Sequence, residues 1–271
     1  MATVLIPLPH CDFDPTEAAV PWAELTRRGH QVRFATPDGA IAQADARMLH
    51  GTGLGPLRRI LRADANGCAA YAAMSADPAF IAPWDYEQAA AAKIDALLLP
   101  GGHAPGMRAY LESTTLQGMV TQAFERDLPV GAICHGVVLA ARAQTRSGHS
   151  VLFGRRTTAL TRSLEITAWA LTAMWLGNYY RTYPETVQSE VTRALTAASD
   201  FETGSLALRR DSSEHPQYGF TVRDGNYLSA RWPGDAHRFA VDFAAMLESN
   251  PLPRASQNSG SRDGIQGLAN L

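Results

Sequence analysis

A chain of 271 residues, 46% apolar and 18% charged, has the make-up of an ordinary globular protein and enough length to bury a substantial core. Its formal net charge of −2, with no basic stripe or charge block, argues against nucleic acid or an anionic membrane surface as a partner. No apolar run reaches the roughly 20 residues that cross a bilayer, and Cys11, Cys68 and Cys134 are too few and scattered for a disulfide framework or a zinc site. The opening Thr3-Val4-Leu5-Ile6-Pro7-Leu8 reads as a first strand and not as a secretory signal, so a reducing cytoplasm is expected.

Residues 3–8 give a short strand. Asp14-Pro15 then supplies an N-cap with proline at the first helical position, and Ala18, Ala19, Trp22 and Leu25 recur at helical spacing up to Arg28. Gly29 stops that helix, and Gln31 to Thr36 forms the next strand, which implies a right-handed parallel crossover. From Ala40 to Ala92 glycines and Pro56 interrupt the pattern; the stretch reads as an insertion over the sheet edge or the mouth of a site, with helices at Leu57 to Arg62 and Pro83 to Ala92. Asp95 to Pro100 and Pro129 to Ile133 are apolar runs suited to central strands covered on both faces. Beyond them come a short strand at Thr157 to Leu160 and helices at Leu164 to Leu176 and Glu185 to Ala198. Strands follow at Ser205 to Arg210, Gly219 to Arg223 and Tyr227 to Arg231, the last two joined through Asp224-Gly225-Asn226. Asp235 to Glu248 closes the fold as an amphipathic helix. After Pro251 the Ser, Asn, Gly and Gln content predicts a disordered tail over 251–271.

Three features fall just beyond strand ends, on the rim where open parallel sheets bind ligands. Cys134 sits between an apolar strand and His135-Gly136 at a helix start, a place that packing alone explains poorly; an exposed thiol there, at the positive end of a helix, is expected to have a lowered pKa. His135 is an adjacent base for it. Glu17, in the first turn of its helix, either complements the helix dipole or exchanges protons with the thiol and substrate. Gly101-Gly102-His103 offers backbone N–H groups that, with that of His135, suit an oxyanion hole. Cys11 and Cys68 read as structural. Trp175, Tyr179, Tyr180 and Tyr183 read as core or interface.

With these motifs in view, Asp14-Pro15-Thr16-Glu17, Leu98-Leu99-Pro100-Gly101-Gly102-His103 and Ala132-Ile133-Cys134-His135-Gly136, the chain resembles the ThiJ/PfpI superfamily of the class I glutamine amidotransferase-like fold. The Cys-His-Gly run and the long insertion look most like the branch of heat-shock chaperone/glyoxalase III enzymes and intracellular amidases. The resemblance implies a flavodoxin-like three-layer α/β sandwich over 1–250, with insertions near 40–92 and 175–209. It further implies Cys134 as nucleophile, His135 beside it, a protonated Glu17, oxyanion donors from Gly102 and His135, and an acidic third partner for the histidine, best matched by Glu165. The expected activity is cofactor-independent cysteine chemistry on a small carbonyl compound, of the glyoxalase III or deglycase kind, with no metal and in a homodimer. An amidase or peptidase using Cys134 and His135, and a stress protein whose thiol is a redox sensor or whose surface holds unfolded clients, are the alternatives. Glutaminase activity is disfavoured, because the late histidine reads Ala236-His237-Arg238-Phe239 without a His-x-Glu unit.

Overall fold

The computed structural model describes residues 1–206 and 209–249. Its strands are β1 (Thr3–Pro7), β2 (Cys11–Phe13), β3 (Gln31–Thr36), β4 (Gln43–Ala44), β5 (Trp84–Asp85), β6 (Ala96–Leu99), β7 (Val130–Ile133), β8 (Thr221–Asp224) and β9 (Tyr227–Ala230). Seven of them form one sheet in the order β5-β3-β1-β6-β7-β9-β8, and β2 pairs with β4 apart from it. Every pairing in the large sheet is parallel except the β8–β9 hairpin, whose turn places Gly225 at φ 59°. All residues of β6 (Ala-Leu-Leu-Leu) and β7 (Val-Gly-Ala-Ile) are buried, as near-continuous apolar strands covered on both faces should be. Helices Pro15–Arg27, Ala65–Ser75 and Ala236–Ser249 pack with one another on one side; Tyr86–Ala91, Thr114–Glu125, Gly136–Arg142 and Val187–Arg193 cover the other. The result is the expected α/β sandwich. No helix among the described residues is long and apolar enough to cross a membrane.

The first helix begins where the sequence predicts. Asp14 accepts hydrogen bonds from the N–H groups of Thr16 (2.8 Å) and Glu17 (3.1 Å), with Pro15 behind it. The stretch 40–92 holds β4 and five α-helices, Ala46–His50, Arg58–Leu61, Ala65–Ser75, Pro78–Ile81 and Tyr86–Ala91, the last following β5, which extends the sheet beyond β3. The helix expected over Glu185 to Ala198 is shorter, Val187–Arg193, because Thr186 caps it and its chain turns at Ala194. Thr157 makes one isolated parallel bridge to Phe201 and not a strand. The strand expected at Ser205 to Arg210 spans 207 and 208, which lie outside the described residues, and its described flanks are not extended pairs. The tail 251–271 also lies outside them.

Two glycines make the packing testable. Gly136 opens the helix after β7, and a Cβ there would sit 2.1 Å from the Leu99 carbonyl oxygen, so the helix start is seated directly on the end of β6. Gly118 lies mid-helix with open space where a Cβ would go. Gly136→Ala is expected to lower unfolding free energy by more than about 2 kcal/mol through backbone displacement, while Gly118→Ala raises it by about 0.5–1 kcal/mol. Urea denaturation of both variants checks the pair.

Candidate active site

Cys134 is the first residue after β7, and its φ of 57° lies in the left-handed region that a non-glycine residue occupies only under constraint. Its own N–H still bonds the Ala230 carbonyl at 3.1 Å, so the β7–β9 ladder holds the chain up to the point where it turns. The helix Gly136–Arg142 starts two residues later. A strand ending in a strained residue and reversing into a helix is a nucleophile elbow.

The sequence leads one to expect an exposed, acidified thiol here. The structure corrects both points. Cys134 is 0% exposed, and its pKa is pushed well above the ordinary thiol value, first by burial, then by the charges of Glu17 and Asp14, against the opposing N–H of His135. The dipole at the head of a short helix does not outweigh loss of solvent around a thiolate. The resting sulfur is a protonated thiol.

Glu17 is also 0% exposed. Its Oε2 accepts the Gly101 N–H at 2.8 Å, while buried Oε1 has no hydrogen-bond partner among the described residues. Burial, and then the neighbouring Asp14 carboxyl, hold its pKa well above the usual carboxylate range; the Cys134 thiol and the Gly101 amide pull the other way. Dipole complementarity does not describe a carboxyl placed in this way. The shift favours the protonated acid beside the thiol.

His135 has one ring nitrogen on each side of the question. Nδ1 faces Cys134 Sγ at 3.5 Å, and Nε2 lies 3.1 Å from Thr182 Oγ1. The Thr182 hydroxyl gives its single proton to the His103 carbonyl at 2.6 Å, so toward His135 it accepts. Nε2 therefore carries the ring proton and Nδ1 presents its lone pair to the sulfur. Burial holds this imidazole neutral, well below the usual histidine pKa, with smaller contributions from His103 and Arg142.

Glu165 is not the third partner. It lies in the first turn of helix Arg162–Leu176 and turns toward the next helix, where Oε2 accepts the Val187 N–H at 2.9 Å and Oε1 lies 3.3 Å from Arg181 Nε. Burial raises its pKa to about 7. Thr182 occupies the position at His135 that the sequence reading gave to an acid. Thr182 carried no sequence signal, being a threonine among aromatics 47 residues from the histidine it holds.

The loop after β6 completes the rim. Gly101 is spent on Glu17, and a Cβ there would fall 2.7 Å from both Glu17 Oε2 and the His135 nitrogen. The Gly102 amide donates to no oxygen among the described residues, nor does that of His135. His103 is buried too. Its Nε2 touches Met48 Sδ at 3.4 Å, its Nδ1 has no partner, and burial lowers its pKa to about 4. Donor atoms of His103, Cys134 and His135 lie within 4.8 Å of one another, a set that suits a soft, thiolate-binding metal ion. Cys11 and Cys68 stand apart from this group as free thiols, one exposed and one half-buried.

The raised pKa of Glu17 has a consequence for stability. A carboxyl that holds its proton more tightly when folded opposes folding once pH exceeds its unfolded pKa, near 4.5, and does so increasingly up to its folded value. Glu17→Gln removes that term. The stability of the Gln variant relative to the parent should rise from pH 5 to pH 8, by at most about 1.4 kcal/mol per pH unit. Denaturation curves at four pH values check this; a difference that does not change with pH contradicts a protonated Glu17.

Comparison with known proteins follows the same lines. A family model described as ThiJ/PfpI family-like matches residues 8–194. An uncharacterized protein of Schizosaccharomyces pombe, C14C4.04, is 30% identical over 142 residues, which is 51% of this chain and 50% of that protein, so the match spans about half the length of the curated relative. Among solved structures, Candida albicans glyoxalase III superposes with a TM-score of 0.64 at 19% identity, covering 92% of this chain and 98% of that one. The Rapid Encystment Protein 24 kDa of Francisella tularensis gives 0.66 at 15% identity, over 91% and 99% of the two chains. Drosophila melanogaster DJ-1beta gives 0.54 at 16% identity, over 92% and 91%. At such identities these likenesses are of fold. Together with a family model that takes in the elbow, the Glu17 helix and Thr182, they establish that this chain belongs to the ThiJ/PfpI-like family.

Proposed function

We propose that this protein is a cysteine enzyme of the glyoxalase III kind, converting a small 2-oxoaldehyde into a 2-hydroxy acid. The observation that carries this reading is the neutral imidazole lone pair of His135 facing a protonated thiol at 3.5 Å, with an uncharged Glu17 in the same enclosure. As the sulfur adds to the aldehyde carbon, its proton passes to His135 Nδ1 and the carbonyl π electrons move onto oxygen. That oxyanion takes the N–H groups of Gly102 and His135, and then a proton from Glu17. The resulting carboxylate of Glu17 is a base for the C1 hydrogen of the hemithioacetal. Glu17 takes that hydrogen as a proton while the C2 oxygen takes the proton held on His135 Nδ1, which gives an enediol; Glu17 then protonates C2 and recovers a proton from the C1 hydroxyl, so that C1 is oxidised to a thioester as the C2 ketone becomes an alcohol. Water cleaves the thioester, releasing the 2-hydroxy acid and restoring the thiol. A protonated Glu17 fits this order, acid first and base second.

An amidase would share the thiol and imidazole, and product analysis separates it by the amine or ammonia it releases. The redox-sensor reading predicts that Cys134 oxidises readily to a sulfinic acid while no carbonyl substrate turns over, which mass spectrometry beside product analysis separates.

Cys134→Ala is expected to abolish conversion of methylglyoxal to lactate; conversion at the parent rate rules the reading out. Thr182→Val keeps the side chain's shape and removes the hydrogen bond that orients His135. It should lower kcat by up to about 100-fold with little change in KM, and Thr182→Ser should restore most of it. A Val variant as active as the parent would show that His135 needs no such anchor.

A further inference from the structure

A cavity of about 220 Å³ lies beside the elbow, closed toward it by His103. Its walls are largely apolar, from Ile60, Leu61, Leu160 and Leu164 among others. Four buried polar atoms on its lining have no hydrogen-bond partner among the described residues: His103 Nδ1, Tyr180 Oη, Arg210 Nη1 and Trp232 Nε1. Tyr180 and His103 are only 5% and 7% exposed. Polar atoms left unpaired beside apolar walls cost free energy, and a cationic N–H costs most, so four of them on the lining of one cavity point to a ligand.

The four fall into two pairs. The Arg210 guanidinium lies over the Trp232 ring at 5.3 Å and spends Nη2 on the Ile60 and Leu61 carbonyls, at 3.2 and 3.4 Å, which leaves Nη1 free of any partner among the described residues. Tyr180 packs on His103 with ring centroids 4.8 Å apart. The His103 ring in turn lies 6.0 Å from that of His135, with a ring nitrogen within 4.8 Å of Cys134 Sγ. Glu165 also lines the cavity, but both its oxygens are directed to Val187 and Arg181.

We propose that this cavity, beside the elbow and separated from the Cys134 sulfur by the His103 ring, binds a compact ligand whose apolar body ends in a carboxylate. The carboxylate meets Arg210 and Trp232, and the far end of the ligand carries a carbonyl acceptor that lies at Tyr180 and His103. One fixed cation with a neighbouring N–H, set in apolar walls, selects a carboxylate over an uncharged group of the same shape.

The test uses 4-acetylbenzoate and acetophenone, two ketones without an aldehyde that differ only in the carboxylate, with affinities measured by calorimetry on the full chain. The parent should bind 4-acetylbenzoate at least about tenfold more tightly. Arg210→Met should remove that preference and leave acetophenone affinity unchanged, and Trp232→Phe should lower 4-acetylbenzoate affinity alone by a few-fold, with thermal melts confirming that both variants fold. Equal binding of the two ketones by the parent, or an Arg210→Met variant that weakens both alike, overturns the proposal. Since neither ketone can rearrange, loss of the carbonyl chemistry alongside an intact carboxylate preference removes the activity assigned to Cys134 and not the pocket. Turnover of methylglyoxal without any such preference removes the pocket alone.

Discussion

Everything at the elbow follows from burying a thiol, an imidazole and a carboxyl in one place. In a medium of low dielectric, each charge is costly, and two like charges on Glu17 and Asp14 would be costlier still. The group therefore rests with Glu17 as an acid, Cys134 as a thiol and His135 as a neutral ring. That arrangement is stable only if the three cannot drift apart, and the backbone sees to this. The Asp14 N–H bonds the Gly101 carbonyl at 2.8 Å, the Gly101 N–H bonds Glu17, and the Cys134 N–H bonds Ala230. Three strand ends and one helix start are thus tied around a single sulfur.

A hydroxyl as the third member suits this state better than a carboxylate does. A carboxylate on Nε2 would stabilise the imidazolium and, with it, a standing thiolate. Thr182 offers an acceptor with no charge, so the ring keeps its proton on Nε2 and its lone pair toward sulfur without favouring ionisation. In the proposed reaction, charge separation awaits a substrate whose oxygen takes up the negative charge at the Gly102 and His135 amides. The same enclosure that makes a free thiolate costly makes those amides more effective once an oxyanion forms.

The sheet, the capped first helix and the elbow were all legible in the sequence, because each is written in neighbouring residues. β6 and β7 are apolar runs that stop at small residues, and Asp14-Pro15 is a local cap. Gly136 and Gly101 also show why small residues follow each strand: a Cβ at either would strike backbone or a site atom. The protonation states were only half legible. Helix position argues for an acidified thiol, but burial decides otherwise, and burial depends on segments remote in the chain. Thr182, Arg210 and Trp232 could not be read at all, since each gains its meaning from a tertiary neighbour. Glu165 went the opposite way: a suitable acid in a suitable helix, drawn off by the free N–H of Val187 at the next helix start.

The segment that carries Thr182 is fastened to the elbow by more than the histidine. Arg108 donates through Nε and Nη2 to the Thr182 carbonyl, at 3.0 and 2.6 Å. Arg142, in the helix that begins at the elbow, holds the Tyr183 hydroxyl at 3.0 Å and the Glu190 carboxylate at 2.6 Å. Two residues before Thr182, Tyr180 packs on His103, whose carbonyl receives the Thr182 proton. One short stretch of chain therefore sets the tautomer of His135 and stacks against the ring that closes the cavity toward the sulfur. The His103 residue thus supplies both the ring between cavity and sulfur and the carbonyl that fixes the Thr182 proton, so the wall of the cavity and the orientation of His135 share one anchor.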